Sequence, residues 1–321
     1  MLRFTCCVLA LLSSARAEEL SRFVFERAEM GLPFRITLYA PDAPRARVAA
    51  DAAFARVAEL NGVLSDYDSD SEVGRLSRSA GQGRPVSVSR DLWTVLEHGQ
   101  AMAARSGGAF DPTVGPVVQL WRRARRQSAL PAAEPLAEAR SRVGYRNVTL
   151  ERDKRTATLA LAGMRLDFGS IGKAYAVDQA LATLRTLGYP QALVAGSGDM
   201  AAGDAPPGQP GWRIEVEGPP PRAVLLLLRQ GIATSGDTYQ RAEIDGRRYS
   251  HIVDPRTGIG LTGGALVTVT AADCMTANGL STAVSVLGPV EGLPLVEGTP
   301  GAAARVVREG MATTETSRWA R

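Results

Sequence analysis

The stretch RLDFGSIGKAYAVDQALATLRTLGYP (residues 165–190) decides how this chain is built. RLDF (165–168) alternates polar and apolar residues and reads as a short strand. Ala174, Val177, Leu181, Leu184 and Leu187 then recur at helical spacing as one apolar stripe, until Gly188 and Pro190 stop it. Between strand and helix, Asp167, Gly169, Ser170, Gly172 and Lys173 bring a carboxylate, a flexible turn and an ammonium together at a helix start. Backbone N–H groups at such a start suit an anion, although Asp167 could equally cap the helix.

Outward from this unit, both secondary-structure periods continue. PFRITLYA (33–40) sets Phe34, Ile36 and Leu38 against Arg35, Thr37 and Tyr39, the pattern of a half-buried strand, after a polar start. Ala50, Phe54, Val57 and Leu60 form a helical face. Ser89 can cap a second helix carrying Leu92, Val95 and Leu96, which Gly107 and Gly108 end. A hairpin is expected over 148–162, turning near Asp153 and Lys154. Further strands are expected at 191–195, 212–217, 223–228 and 266–271, and a last helix at 275–287. GDAPPGQPG and EGPPPRA are short enough to be surface turns within one domain. The mixed order predicts an α+β (mixed α/β) fold, a single domain with two lobes around a cleft.

Residues 1–17 read as a secretory signal peptide: Arg3, an apolar run from Phe4 to Leu12, and the small-residue site Ala15-Arg16-Ala17. The run is too short to span a bilayer, so export to the periplasm is expected, with no integral membrane segment once the signal is removed. Lipid attachment at Cys6 or Cys7 is disfavoured, because the residues before Cys7 lack small-residue character. The mature chain, 18–321, keeps one thiol, Cys274, so its stability rests on a packed core. Losing Arg3 and Arg16 lowers the formal charge of +4 by two units, which argues against a nucleic-acid partner. WRRARRQ (121–127) reads as a solvated basic helix face or loop. Only two of the 37 basic residues are lysines, which marks Lys173 as a place where a compact ammonium fits.

Four polar segments sit at element edges: GGAFDPTVGP (107–116), LDFGSIGKAYAVD (166–178), AGSGDM (195–200), and TSGDTYQ running on to HIVDPRTG (234–258). Singly, each is compatible with an ordinary turn, and none has phosphate-loop or dinucleotide spacing. In HIVDPRTG the imidazole of His251 precedes the rigid Asp254-Pro255 and the turn Thr257-Gly258, which suits a chemical site. Asn278, Ser281 and Thr282 share one face of the last helix and could offer oxygens to Mg²⁺, though without a carboxylate a plain polar face is the simpler reading. A Ser235–His251–Asp254 hydrolase lacks the GxSxG elbow. His98, inside the second helix, is expected to be a surface or cap-proximal residue rather than a catalyst.

In this order, with MGLPFRITLYA (30–40), LSDYDSDSEVGRL (64–76), SGDM and TANGLSTAVSVLG (276–288), the segments closely resemble the FAD:protein FMN transferase family. The resemblance implies an FAD cleft and Mg²⁺-dependent transfer of FMN from FAD, the substrate, to a threonine hydroxyl of an acceptor protein, an electron-transfer component, with release of AMP. It implies FAD contacts at Met30, Tyr67, Ala109, Phe110, Asp111, Asp167, Lys173, His251 and Ile252. A metal would be held by the Ser170 carbonyl and by Asn278 and Thr282, with Ser281 adjacent, and His251 would deprotonate the threonine. The chain departs from the pattern at Leu32, Ala174 and Ser197, and at Asn278, which stands where the pattern has an aspartate and so removes one negative charge from the metal site. Two alternatives stay open on that account: a noncatalytic FAD-binding protein, and an FAD pyrophosphatase in which water replaces threonine.

Overall fold

The computed structural model describes residues 19–196, 198–220, 222–236 and 241–319. The expected signal peptide, as well as Ser197 and Asp237, lies outside the described residues. The chain begins with a hairpin of β1 (Ser21–Glu29) and β2 (Leu32–Ala40), paired in full register from Ser21↔Ala40 to Glu29↔Leu32. Its two-residue turn puts Met30 and Gly31 at φ 51° and 75°, the geometry that twists with the strands. β1 was hidden by its composition, because as an edge strand it leaves most of its side chains to solvent.

Next come α1 (Ala43–Leu64), α2 (Glu72–Arg78), β3 (Val86–Ser87) and α3 (Arg90–Arg105). Asp42, Ser71 and Ser89 cap the three helices by accepting from Arg45, Gly74 and Leu92 backbone N–H groups. The segment α4 (Gly115–Gln127), α5 (Ala133–Ser141), β4 (Val148–Glu151) and β5 (Thr156–Leu159) follows, the last two being the expected hairpin. α6 (Ile171–Thr186) is the helix of the opening stretch. RLDF is not a strand: Arg165 makes a single bridge with Val114, while the Leu166 and Asp167 N–H groups donate to Ser77 Oγ and the Pro112 carbonyl, leaving no ladder to join.

The remainder is β6 (Ala192–Gly196), β7 (Asp199–Ala202), β8 (Trp212–Glu215), β9 (Val224–Leu227), β10 (Gln230–Gly236), β11 (Arg241–Ile244), β12 (Arg247–Ser250), β13 (Ala265–Ala271), α7 (Cys274–Glu297), β14 (Ala303–Arg308) and β15 (Thr314–Glu315). α7 runs past the expected end at Leu287. Gly288 (φ 75°, ψ 176°) breaks it, and Pro289, whose fixed φ suits a first helical position, starts the second piece.

Eight strands form one sheet in the order β1-β2-β6-β7-β10-β13-β14-β15, every neighbouring pair antiparallel. α1, α6 and α7 lie against it and bury the main core. Alternate residues sort to the two faces: Ala201, Ala233 and Ala304 join that core, while Ala202, Ile232 and Ala303 join a second cluster with Trp212 and Leu227 of the β8–β9 hairpin. A third cluster gathers Val117, Trp121, Ile244, Tyr249 and Val253 around α4, α5 and the β11–β12 hairpin. This is a single α+β domain, with a main body and two smaller clusters around the cleft. α7 is the one described helix apolar and long enough to cross a membrane, but it packs as a core helix against β10, β13 and α6. That packing also draws in α3, so His98 is half-buried rather than at the surface. Its Nε2 is buried without a partner, and burial lowers its pKa.

Candidate functional site

A cavity of about 540 Å³ opens where the three clusters meet, with Phe110 from the main core, Ile214, Val216 and Ile232 from the second, and Trp121 and Val253 from the third on its wall. That volume lies within the range of small-molecule sites. All the site residues expected from sequence line it except Met30 and Ser281. Met30 instead sits at the β1–β2 turn and packs against the main core. Ser281 is fully buried behind the wall, its hydroxyl paired with Ser235 Oγ at 2.8 Å and donating to the Asn278 carbonyl at 3.0 Å.

One part of the wall is an ionic cluster that sequence spacing did not connect. Arg122 donates to Asp66 at 2.6 Å and to Asp167 at 3.0 Å, and its guanidinium lies 4.2 Å from the centre of the Tyr67 ring. The expectation of a solvated WRRARRQ fails here, because α4 turns Arg122 inward; its side chain is only 23% exposed and those of Asp66 and Asp167 only 5% and 11%. Burial pushes Asp167 up to about 6, with Asp66 adding and Arg122 opposing. Asp167 Oδ1 also accepts from the Gly169 N–H at 2.9 Å, which shapes the turn into α6. Tyr67 is 75% exposed, an open aromatic face held on its other side by a cation.

Lys173, in the first turn of α6, is half-buried on the cavity wall, and desolvation lowers its pKa against the pull of Asp167, Asp66 and Asp199. Ser170 precedes that turn, and its carbonyl accepts from the Lys173 and Ala174 N–H groups through bonds of 3.1 and 3.4 Å. The nearby loop of Ala109, Phe110 and Asp111 is fixed by Asp111 itself. Its Oδ1 accepts from the Thr113 N–H and hydroxyl, and its Oδ2 from the Tyr145 N–H. Asp111 therefore shapes the wall with both carboxylate oxygens already engaged, and burial raises its pKa.

HIVDPRTG folds as a tight hairpin. Ser250 N–H donates to the Leu261 carbonyl at 2.7 Å, Leu261 N–H to Ile252 at 2.8 Å, and Gly258 N–H to Asp254 at 2.8 Å. Trp121 Nε1 donates to the Ser250 carbonyl at 2.9 Å, so the base of the loop carrying His251 is tied to α4. Gly260 passes so close that a Cβ there would lie 2.4 Å from both the Ser250 oxygen and Trp121. Asp254 is committed to Arg256 and Ser235 to Ser281, so neither serves a hydrolytic triad.

On α7, Asn278 and Thr282 reach the cavity one turn apart. Asn278 Nδ2 donates to Asp199 Oδ2 at 2.9 Å, and its Oδ1 is buried with no partner. This orphaned acceptor, with Thr282 and Ser170 on the same cavity wall, offers a set of oxygen donors, the kind a hard cation takes. Burial pushes the Asp199 carboxyl up to about 8, against its hydrogen bond from Asn278 and the charge of Lys173. Within SGDM, Asp199 has no role that the sequence reveals, since nothing in local spacing joins the start of β7 to the middle of α7.

The ApbE family model matches residues 30–306. An FAD:protein FMN transferase of Haemophilus influenzae is 36% identical over 251 residues, covering 74% of this chain and 72% of its own length. One from Treponema pallidum is 32% identical over 299 residues, covering 86% and 82%. Among solved structures, the apo form of the Pseudomonas stutzeri flavinyl transferase ApbE superposes with a TM-score of 0.82 at 32% identity, over 93% of this chain and 95% of that one.

Proposed function

Because this chain belongs to the ApbE family, we propose that it is an exported FAD:protein FMN transferase, moving FMN from FAD to a threonine hydroxyl of an acceptor protein with Mg²⁺ and releasing AMP. The observation that supports this most is convergence: Tyr67, backed by the Arg122 guanidinium, and Lys173, His251, Asn278 and Thr282 line one cavity.

In this reading Tyr67 and the Arg122–Asp167 pair hold a ring of FAD, and Lys173 meets the pyrophosphate through a charge-assisted contact. His251 takes the proton of the acceptor hydroxyl as its oxygen bonds to the flavin-side phosphorus. The phosphorus–oxygen bond to the AMP phosphate breaks, and AMP leaves with that electron pair. Asn278, Thr282 and the Ser170 carbonyl would hold Mg²⁺, which would supply positive charge against the nonbridging phosphate oxygens. The acceptor belongs to the electron-transfer proteins, and residues 1–17 direct export to the periplasm.

Incubating purified protein with FAD, Mg²⁺ and a threonine-bearing acceptor tests the reading. Flavin bound covalently to the acceptor, with one AMP per flavin, is the expected result. Free FMN without acceptor labelling would make the protein a pyrophosphatase, and bound intact FAD would make it a carrier. Mass spectrometry of the exported chain should show a start after Ala17, and an intact Met1 or a lipid on Cys6 or Cys7 would refute export by simple cleavage.

A further inference from the structure

We propose that Asp199 is the charged half of the cation site, acting through Asn278 as a positioning residue. The inference rests on the metal-dependent reading above and concerns how this chain manages with an amide at position 278.

The amide of Asn278 is oriented by its contact with the Asp199 carboxylate. Its nitrogen donates to Asp199 Oδ2 at 2.9 Å, and the reverse orientation would press two acceptors together in a buried space. Oδ1 therefore faces away from Asp199, where it is buried and without a partner, in a residue only 7% exposed that lines the cavity beside Thr282. An unmatched buried acceptor costs free energy unless something meets it.

Asp199 presents the complementary problem. It is 4% exposed at the start of β7, and among the described residues no arginine or lysine forms an ion pair with it, Lys173 acting on it only from beyond ion-pair distance. A carboxylate so placed is costly without a counter-charge. A divalent cation on Asn278 Oδ1 resolves both conditions: the orphaned oxygen gains a ligand, and the carboxylate gains a positive partner across one amide. The hydrogen bond to the carboxylate also draws density through the amide toward Oδ1, as a carboxylate behind a metal-bound imidazole raises that ligand's basicity. The charge absent from α7 is thus available on β7, one hydrogen bond further from the cation, once a bound cation offsets the burial that holds the Asp199 carboxyl up at about 8.

The test is binding of Mn²⁺ to the FAD-saturated protein, followed by the electron paramagnetic resonance signal of free Mn²⁺, for the parent, Asp199→Asn and the exchanged pair Asp199→Asn/Asn278→Asp. Asp199→Asn keeps an oxygen that can accept from Asn278 and removes only the charge. It should weaken Mn²⁺ about tenfold or more, with metal-free FAD affinity within about threefold. The exchange returns the charge on the other element and should recover Mn²⁺ affinity to within about threefold of the parent or better, while the loss in Asp199→Asn at unchanged metal-free FAD affinity is the readout that a merely structural Asp199 would not give. Parent-like Mn²⁺ binding by Asp199→Asn, or an exchanged pair no better than that variant, overturns the proposal while leaving the metal-dependent reading intact. A parent that binds FAD but no Mn²⁺ overturns both. Should Asp199→Asn fail to fold, as seen by circular dichroism, Asp199→Ser, which also keeps an acceptor oxygen and removes the charge, takes its place with the same expected loss and the same refuting result.

Discussion

Replacing Arg122 with Ala tests whether the cavity wall is held by one buried cation between two carboxylates. In the parent, Arg122 spans Asp66 at 2.6 Å and Asp167 at 3.0 Å, and all three side chains are mostly buried. Removing one partner of a buried ion pair costs roughly 3–5 kcal/mol, because the remaining charge is stranded. The partial exposure of Arg122 reduces this to roughly 2–4 kcal/mol. At roughly 2–3 °C per kcal/mol for a chain of this size, melting should fall by about 4–12 °C near pH 8. The pH dependence carries the sign of the argument. Burial and Asp66 already push the Asp167 carboxyl up to about 6 while Arg122 opposes them, so loss of Arg122 moves it further up. A carboxyl whose folded value lies above its unfolded value of about 4 binds its proton more tightly when folded, so its penalty is absent below pH 4 and complete only above the folded value. The variant's deficit should therefore shrink markedly between pH 8 and pH 5, and Arg122→Lys, which can reach one carboxylate but not fork to both, should fall between the two. Differential scanning calorimetry at the two pH values provides the assay. Equal melting of parent and Arg122→Ala at pH 8, or an identical deficit at pH 5, would refute the stranded-charge argument.

Three further outcomes are expected. Lys173→Ala should weaken FAD binding by about tenfold or more, the worth of a charge-assisted contact, as read from flavin fluorescence; unchanged affinity would move the pyrophosphate elsewhere. His251→Ala should lower transfer to an acceptor by about 10²-fold or more while FAD affinity changes little, since a general base acts in the transition state; weakened binding with turnover kept at saturating FAD would recast His251 as a ligand-positioning residue. Gly260→Ala should destabilise the protein by about 1–3 kcal/mol, because its Cβ would lie 2.4 Å from Trp121 and the Ser250 carbonyl, and overpacking forces such groups apart; a melting temperature equal to the parent's shows that the hairpin yields.

Elements whose residues carry their own pattern are legible in the sequence. α6 announces itself by its apolar stripe and its Gly188-Pro190 stop, α3 by Ser89, and β2 by strict alternation. β1, β7 and β14 do not, for different local reasons. β1 is a mostly exposed edge strand, and β7 has only four residues in a glycine-bearing segment. β14 takes its place between β13 and β15, pairings that no local pattern in the sequence announces. The extra turns of α7 escape the sequence pattern because Gly288 and Pro289 read as a stop, whereas tertiary packing restarts the helix beyond them.

By itself, the order of motifs determined the family and the α+β class and picked out residues that mostly fall on the cavity wall, because those properties reside in residue types repeated at fixed places along the chain. The charges of the site were decided only in three dimensions. Asp66, Arg122 and Asp167 are 45 or more residues apart where Arg122 joins them, and Asp199 and Asn278 are 79 apart. No periodicity links such positions; the sheet and the packing of α4, α6 and α7 do. The same folding turned a basic run toward the cavity and closed Ser281 behind its wall, since burial depends on what an element packs against.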